Sequence, residues 1–470
     1  MKPIHSRALL ATNRRNFLKG LGCGALSATP FLGTLAHLGA ATGAAAQSAS
    51  DTPDYRALVC ILLAGGNDSF NMIVPHDPDE YADYATARTD LALDRDTLLT
   101  VSPSSLDRDF GFHPSMTGAR DLFNAGRLAV VNNVGTLAER VTLEEVNNNI
   151  ERLPLGLYSH SDQIRQWQTS VPDDRSALGW GGRLSDLLEN LNAGSEISMG
   201  ISLAGTNDFQ AGSRTREFSI SQDGSVPIFG FGDPEPIQVV RETAIRSMLD
   251  LEYQNILENA FADRMTGGIR NHEVFSAALE NRPSIDTVFS AAQLSQELRI
   301  IAETISVREA LGLKRQTFFV LVGGWDHHDE VLASQAGMLS TVSRSLTEFD
   351  SVLGELGLRE QVTTFTISDF GRTLSSNGRG SDHGWGGNAL VMGGAVRGGD
   401  FYGTPPPLFP GNPLDTGRGR LIPTLSTDEY FAELALWFGV SPGDLDSVLP
   451  NIGRFTTPSD SSSPVGFLPG

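Results

Sequence analysis

The stretch FFVLVGGWDHHDE, residues 318–330, decides the fold prediction, because an apolar run ends there in two glycines and a group of acids and imidazoles. The run TFFVLVGG (317–324) has the length and the aromatic and β-branched content of a strand buried on both faces. Apolar residues on either side of it recur at steps of three and four, which is typical of amphipathic helices. They are Leu294, Leu298, Ile301 and Ile305 before the run, and Leu339, Val342, Leu346, Phe349 and Leu353 after it.

Four other apolar runs have the same character: ALVCILLAGG (57–66), LAVVNNV (128–134), VTTFTIS (362–368) and NALVMGG (388–394). Buried strands that alternate with helices favour right-handed βαβ units. The sequence therefore predicts an α/β fold with a doubly wound, mostly parallel sheet that has helices on both faces.

The domain organisation follows from where these signals are strong. We predict a single α/β domain over residues 57–457, with the weaker region at about 195–290 as an elaboration of that domain. Residues 47–56 are predicted to be a polar linker, and residues 458–470 a Ser/Pro-rich tail.

The first 46 residues have the pattern of an export signal. NRRNFLKG (13–20) places a twin arginine before a Gly/Ala-rich apolar stretch, and Ala44, Ala45 and Ala46 form a small-residue cleavage pattern. A membrane anchor is disfavoured because Pro30, His37 and many glycines make a poor spanning helix. We expect a cleaved twin-arginine (Tat) signal, the Tat translocase as the partner during export, and a periplasmic or secreted protein without a membrane association afterwards.

The charge of the chain excludes several classes of partner. Removal of residues 1–46, which carry five basic side chains and no acid, takes the formal net charge from −21 to −26. Such a surface repels nucleic acid and anionic membranes, so neither is expected as a partner. Cys60 lies within an apolar run and would be the one cysteine left after cleavage, so we expect a buried thiol and no intrachain disulfide.

Acids follow three of the predicted strands, which points to a metal site. Asp68, Asp326 and Asp369 each come after an apolar run, and Asp382 and His383 precede another. Ligands of parallel sheets bind beyond the carboxyl ends of the strands, so these groups are expected to converge. Clustered carboxylates repel one another unless a positive charge neutralises them, and a divalent metal ion would do so.

The residue types suggest two metal sites. Asp326 and His328 are two residues apart and would point the same way in an extended segment, with His383 as the third ligand, a set that suits zinc with one position left open. Asp68 and Asp369, with help from Asp382, form an oxygen-rich group suited to Mg²⁺ or Ca²⁺. Two such ions would clamp an anionic group during hydrolysis.

The catalytic candidates are Ser159 and Arg372. Ser159 precedes a predicted helix, where it would act as a nucleophile or, by the sequence alone, would cap the helix. Arg372 would bind a substrate anion or pair with an acid. His327 is expected near the metal or at the surface, and His113 in the site or in a turn.

Several motifs together resemble the bacterial domain of unknown function 1501 family. They occur in the family's order, from the Tat signal nearly to the C-terminus: LLAGGNDSFNMIVP (62–75), GFHPSM (111–116), GRLAVVNNVG (126–135), SHSDQIRQWQT (159–169), GGWDHH (323–328), ISDFGRT (367–373) and GSDHGWGG (380–387). That family is similar to the alkaline phosphatase and sulfatase superfamily, so the resemblance implies a doubly wound fold with two metals at the strand ends.

Carried onto this chain, the resemblance implies one metal on Asp326, His328 and His383, and ligands from Asp68 and Asp369 for the other. Ser159 falls where the superfamily has its nucleophile. Phe370 departs from the pattern, because alkaline phosphatases have a histidine there, which puts the second metal in doubt. The first hypothesis is an exported, metal-dependent hydrolase of a small phosphate or sulfate ester. The alternative is a non-catalytic exported binding or assembly protein that keeps the fold and one structural metal.

Overall fold

A computed structural model describes residues 55–148, 152–457 and 463–469 of the chain. The predicted Tat signal (1–46) and most of the predicted linker (47–56) lie outside these residues. None of the helices within the described residues is long and apolar enough to cross a membrane.

A mixed, mostly parallel sheet of nine strands forms the centre of the domain. Its strands, in the order in which they lie along the sheet, are β13 (Phe401–Tyr402), β5 (Leu128–Gly135), β12 (Gly387–Met392), β9 (Val362–Ser368), β1 (Arg56–Leu63), β8 (Arg315–Val322), β6 (Gly200–Ser202) and β7 (Phe218–Ser219), and β14 (Leu425–Ser426) pairs with β5. Strand β12 runs antiparallel to both of its neighbours, and the other pairs are parallel. The predicted strands are therefore confirmed, and NALVMGG is the one that reverses direction.

Helices cover both faces of this sheet, as predicted. The helices of the described residues are α1 (Ser69–Met72), α2 (Pro78–Arg88), α3 (Thr117–Asn124), α4 (Leu143–Asn148), α5 (His160–Thr169), α6 (Trp180–Leu188), α7 (Pro236–Leu249), α8 (Ile256–Glu280), α9 (Gln293–Ser306), α10 (Val331–Glu355), α11 (Thr427–Phe438) and α12 (Leu445–Val448). Alternate residues of β1 enter two different hydrophobic clusters: Val59 and Ile61 pack with α9 and α10, whereas Cys60 and Leu62 pack with α6 and α11. This alternation is what a strand buried on both faces requires.

Two smaller sheets and the C-terminal segment complete the domain. Strands β2 (Ile73–Pro75), β4 (Phe110–Phe112) and β3 (Leu99–Val101) form one small sheet, and β10 (Arg372–Ser376) with β11 (Ser381–His383) forms the other. The described part of the predicted tail packs on the domain: Phe467 and Leu468 are fully buried, and the Leu468 N–H donates to Glu433 Oε1 at 2.6 Å. The packed structure thus extends beyond residue 457.

Candidate metal centre

The carboxyl ends of β1, β8 and β9 are neighbours in the sheet, so the loops that follow them meet at one edge. Gly65 shows how closely they approach: its φ is +122°, and a Cβ there would lie 2.5 Å from the Asp326 backbone nitrogen. The Gly65 N–H also donates to Asp369 Oδ1 at 2.9 Å. A glycine is needed at this position because a side chain has no room against the loop of Asp326.

Asp326, His328 and His383 are brought together as the sequence predicted. His328 Nε2 lies 2.9 Å from His383 Nε2 and 3.1 Å from Asp326 Oδ1, and His383 Nε2 lies 3.3 Å from the same oxygen. The three atoms form a small triangle. Ligand atoms about 2 Å from a tetrahedral ion have this spacing from one another.

The opposite nitrogen of each imidazole is held by an oxygen. His328 Nδ1 lies 3.0 Å from Asp382 Oδ1, and His383 Nδ1 lies 2.8 Å from the Tyr158 carbonyl oxygen. An acceptor at Nδ1 places the ring proton there and leaves the lone pair of a neutral imidazole on Nε2. Both lone pairs then face each other and the Asp326 carboxylate, an arrangement that a cation would stabilise.

Tyr158, whose carbonyl oxygen holds His383, has an unusual backbone conformation. Its φ is +72°, which is rare for a bulky residue, and its N–H donates to Gln163 Oε1 at 2.9 Å. Gln163 is buried and donates in turn to Thr136 Oγ1. Strained backbone of this kind persists where the surroundings fix it, often at functional sites.

His160 joins the group from the first turn of α5, and the sequence interpretation missed it. Its Nδ1 lies 2.6 Å from Asp369 Oδ2, and its Nε2 is buried and lies 3.4 Å from Asp326 Oδ2. One ligand atom each from His160, Asp326 and His383 lies within 4.8 Å of the others. His160 therefore repeats the pattern of His328 and His383, with an oxygen at Nδ1 and Nε2 aimed inward. The sequence feature that could have indicated His160 is its position beside Ser159 in SHSDQIRQWQT.

Asp369 has a different place from the one predicted. Its side chain is fully buried, and its two oxygens accept from Gly65 and His160 rather than meeting the carboxylate of Asp68. Burial raises the pKa of Asp369, and the two donors oppose that rise without cancelling it. Asp369 orients an imidazole instead of contributing to an oxygen-rich site.

Asp68 and Asp382 are also engaged by other groups. Asp68 Oδ2 forms a fully buried ion pair with Arg88 and accepts from Ser381 Oγ at 2.9 Å, while its Oδ1 is buried without a donor among the described residues. Asp382 Oδ2 pairs with Arg418, and its Oδ1 holds His328. Burial opposes ionisation of Asp382, but Asn377, Arg418 and His328 outweigh it and lower its pKa to about 2. The described residues therefore do not assemble the predicted Asp68–Asp369–Asp382 group.

Arg372 is not placed to bind a substrate anion. It is 1% exposed, and its guanidinium donates to the carbonyl oxygens of Gly65, Gly66, Trp325 and Ser381. It also donates to Asp326 Oδ1 at 2.5 Å. Burial alone would raise the pKa of Asp326, but this bond and the charge of Arg372 lower it overall. The ion-pair alternative is the correct one, and Arg372 ties together the loops that carry the site.

The remaining candidates are now placed as well. Ser159 precedes α5 but makes no side-chain capping bond, and its Oγ lies 3.3 Å from Ser161 Oγ, so the capping interpretation is wrong and the nucleophile role stays a prediction. His327 is 7% exposed, which excludes the surface alternative. His113 Nδ1 accepts from the Ser115 N–H at 3.1 Å, as in a turn. Trp325, Trp385 and Cys60 are buried.

The donor set fits a borderline divalent ion such as zinc. The Nε2 atoms of three histidines each lie 3.1–3.4 Å from an oxygen of the Asp326 carboxylate, and each imidazole has an outer oxygen partner. This is the first and outer ligand shell typical of a zinc site. The partial exposure of His328 and Asp326, 45% and 43% of their side chains, keeps one side accessible.

Comparison with solved structures finds similar chains at low sequence identity. The soluble domain of lipooligosaccharide phosphoethanolamine transferase A from Neisseria meningitidis is 10% identical, with 84% of this chain and 93% of that chain covered and a TM-score of 0.29. The PsFucS1 sulfatase from Pseudoalteromonas sp. is 9% identical, with 86% and 72% covered and a TM-score of 0.33. Ps i-CgsB is 12% identical, with 85% and 76% covered and a TM-score of 0.33.

Sequence comparisons give a family but no characterised relative. No curated protein matches the chain. The family model described as protein of unknown function (DUF1501) matches residues 55–411, which is most of the chain and includes every group of the metal centre. The chain belongs to this family.

Proposed function

We propose that the protein is an exported metal-dependent hydrolase that acts on a small phosphate or sulfate ester. The observation that carries the proposal is the convergence of three imidazole Nε2 atoms, from His160, His328 and His383, on the carboxylate of Asp326. These four residues would hold one divalent ion, with zinc as the best fit. Bound there, the ion would supply Lewis-acid polarisation of an ester oxygen.

The chain's own residues supply the rest of the proposed chemistry. Asp369, Asp382 and the Tyr158 carbonyl fix the imidazole protons at Nδ1, so that the site is arranged before any ligand enters. Ser159 lies next to His160 at the start of α5, and its hydroxyl is not used for capping, which leaves it available as a nucleophile. Neighbouring backbone N–H groups would favour a developing negative charge there.

The substrate class and the location rest on the sequence. The family motifs resemble those of the alkaline phosphatase and sulfatase superfamily, which supports a phosphate or sulfate ester. The twin-arginine motif at 13–20 supports Tat export and a periplasmic or secreted protein. The net charge after signal cleavage, −26, makes nucleic acid and anionic membrane poor partners.

A non-catalytic exported protein that binds the same metal is the second candidate. The observation that favours it is the state of two predicted catalytic groups: the Arg372 guanidinium is buried against backbone carbonyls, and the Ser159 hydroxyl contacts Ser161. Neither contact brings a cationic side chain to a substrate anion. Turnover is therefore what separates the two functions.

The test combines metal content with ester hydrolysis. We expect about one equivalent of zinc in purified protein by elemental mass spectrometry, and its loss in Asp326→Asn and His328→Ala but not in the matched control His76→Ala, which lies outside the site. The zinc-loaded protein is then assayed with 4-nitrophenyl phosphate, bis(4-nitrophenyl) phosphate and 4-nitrophenyl sulfate.

Each result has a distinct meaning. Hydrolysis that both site variants lose, and that Ser159→Ala reduces, supports the proposal. Metal binding without turnover of any ester favours the non-catalytic protein. Protein that binds no metal, with site variants that behave like His76→Ala, refutes both.

A further inference from the structure

Helix α5 carries a second polar side chain that bears on the metal centre. Gln163 lies three residues after His160, so the two residues share one face of the helix. Gln163 is fully buried, its Oε1 accepts from the Tyr158 N–H at 2.9 Å, and its Nε2 donates to Thr136 Oγ1 at 2.9 Å. Because a backbone N–H can only donate, the oxygen of the amide must face Tyr158. Both ends of the Gln163 amide are therefore engaged in one fixed orientation.

The far end of this amide is anchored to the central sheet. Thr136 is the first residue after β5 and is fully buried, and its carbonyl oxygen accepts from Trp385 Nε1 at 2.7 Å. Among the described residues, Gln163 Oε1 is the acceptor that the Tyr158 N–H has, since no backbone carbonyl takes it. Gln163 thus connects the backbone of Tyr158 to the core of the domain.

The backbone of Tyr158 depends on such a connection. Its φ of +72° is unfavourable for a residue with a bulky side chain. The angle φ is the torsion between the N–H, which Gln163 holds, and the rest of the residue, including the carbonyl oxygen that lies 2.8 Å from His383 Nδ1. A Tyr158 released from Gln163 could rotate to an ordinary negative φ, and its carbonyl oxygen would then leave His383.

We propose that Gln163 is a positioning residue of the metal centre, which keeps the imidazole proton of His383 on Nδ1 by holding Tyr158 at positive φ. The inference rests on the proposed function, because the proposed ion uses the lone pair on His383 Nε2. Without an acceptor at Nδ1, a neutral imidazole can carry its proton on Nε2 instead, where it would face His328 Nε2 at 2.9 Å and block the site. Helix α5 then sets two of the three imidazoles, His160 directly and His383 through Gln163.

A second glutamine of α5 separates this role from a purely structural one. Gln168 is 5% exposed, and its Oε1 accepts from the Phe209 N–H at 3.0 Å, so it also serves a backbone N–H from a buried amide. Phe209 packs against Trp180 and Phe319 in the hydrophobic core. Loss of either glutamine removes the same kind of hydrogen bond, but only the loss of Gln163 should reach the metal centre.

The first experiment measures the zinc affinity of the full chain by competition with a chromophoric chelator. Gln163→Leu should lower the affinity by about tenfold, as the loss of an outer partner of a metal-bound histidine does, and Gln168→Leu should leave it unchanged. In a Tyr158→Gly background the positive φ needs no support, so Gln163→Leu should no longer change the affinity. Thr136→Val should weaken binding in the same direction and replaces Gln163→Leu if thermal unfolding shows that this variant does not fold.

The second experiment reads the tautomer of His383 without any metal. In metal-free protein labelled with ¹⁵N-histidine, correlation of the ring nitrogens with the ring protons by NMR shows which nitrogen carries the proton, and the His383 signals are those absent from His383→Asn. We expect the proton on Nδ1 in the native chain and a mixture of both tautomers in Gln163→Leu. A native chain that binds no zinc would contradict the proposed function, whereas the tautomer would still test the role of Gln163.

Three results would overturn the role of Gln163. The first is an unchanged zinc affinity and an unchanged His383 tautomer in folded Gln163→Leu or Thr136→Val. The second is a loss of affinity in Gln168→Leu as large as that in Gln163→Leu, which would reduce both glutamines to structural groups. The third is a loss in Gln163→Leu that persists in the Tyr158→Gly background, because Gln163 would then not act through Tyr158.

Discussion

Replacement of Asp369 by Asn should weaken the proposed metal binding, although Asp369 is not one of the four proposed ligands. The carboxylate holds two protons at once, with Oδ1 toward the Gly65 N–H at 2.9 Å and Oδ2 toward His160 Nδ1 at 2.6 Å. An amide of the same shape has one oxygen, so its NH₂ group must face either Gly65 or His160. Facing His160, it would donate to Nδ1 and move the ring proton to Nε2, which blocks the inward lone pair.

The expected magnitude follows from that loss. Removal of the outer partner of a metal-bound histidine lowers metal affinity by about 10- to 100-fold, which is roughly 1.4–2.7 kcal/mol. His160 is one of four proposed ligands, so the affinity should fall without being abolished. Asp382→Asn should have a smaller effect, because Asp382 holds His328 at the more exposed side of the site and Asn can still accept through its oxygen.

The measurement is competition for zinc between the protein and a chromophoric chelator. Asp68→Asn is the matched control, since Asp68 is equally buried but is paired with Arg88 and Ser381 instead of a histidine. Thermal unfolding of the metal-free variants shows whether each one still folds.

Two results would refute this reasoning. Unchanged zinc affinity in a folded Asp369→Asn variant would show that His160 is not part of the site. A loss in Asp68→Asn that exceeds the loss in Asp369→Asn would return Asp68 to the role of ligand that the strand-end pattern predicted.

Three further predictions concern stability. Arg372→Met should lower the free energy of unfolding by at least about 3 kcal/mol in denaturant titration, because four carbonyls and Asp326 lose a buried donor, whereas the exposed control Arg379→Met should change it by less than about 1 kcal/mol. Burial raises the pKa of Asp428 to about 8, so the folded state keeps a proton that the unfolded state releases above its ordinary value of 3.8. Native stability should therefore fall as pH rises from about 4 to 8, and thermal melts of Asp428→Asn should lack that part of the decline. Ser426→Ala should cost about 1 kcal/mol in the same denaturant titration, since it breaks the capping box with Glu429 at the start of α11.

The sheet could be predicted from the sequence because its strands are buried on both faces. Runs such as VTTFTIS are continuous in apolar and β-branched residues, and each became a strand of the central sheet. Strand direction has no such signal. NALVMGG is as apolar as its neighbours, yet it runs antiparallel, since it follows the two-stranded β10–β11 sheet instead of a crossover helix. The short edge strands β7 and β13 contain two residues each, too few for any periodicity.

Three residues of the site could be predicted in the same way, because Asp326 and His328 are close in sequence and His383 follows another strand-end loop. The role of His160 could not be predicted from the sequence, since it depends on α5 placing His160 against Asp369, a residue 209 positions away. The burial of Arg372 could not be predicted from the sequence either. An arginine in a polar loop gives no sign that its donors are taken up by the carbonyls of residues some 300 positions earlier.

The arginines change the argument for a second metal. Acids at three strand ends implied two metals on the premise that nothing else would neutralise them. The structure provides a guanidinium for three of the four acids: Arg88 for Asp68, Arg372 for Asp326 and Arg418 for Asp382. Asp369 has His160. The carboxylates therefore no longer require a cation, whereas the Nε2 atoms of three histidines still face the Asp326 carboxylate, an arrangement that a single bound ion would stabilise. That distinction favours one metal ion at Asp326 and the histidines over a two-metal clamp, and a zinc stoichiometry near two per chain would contradict it.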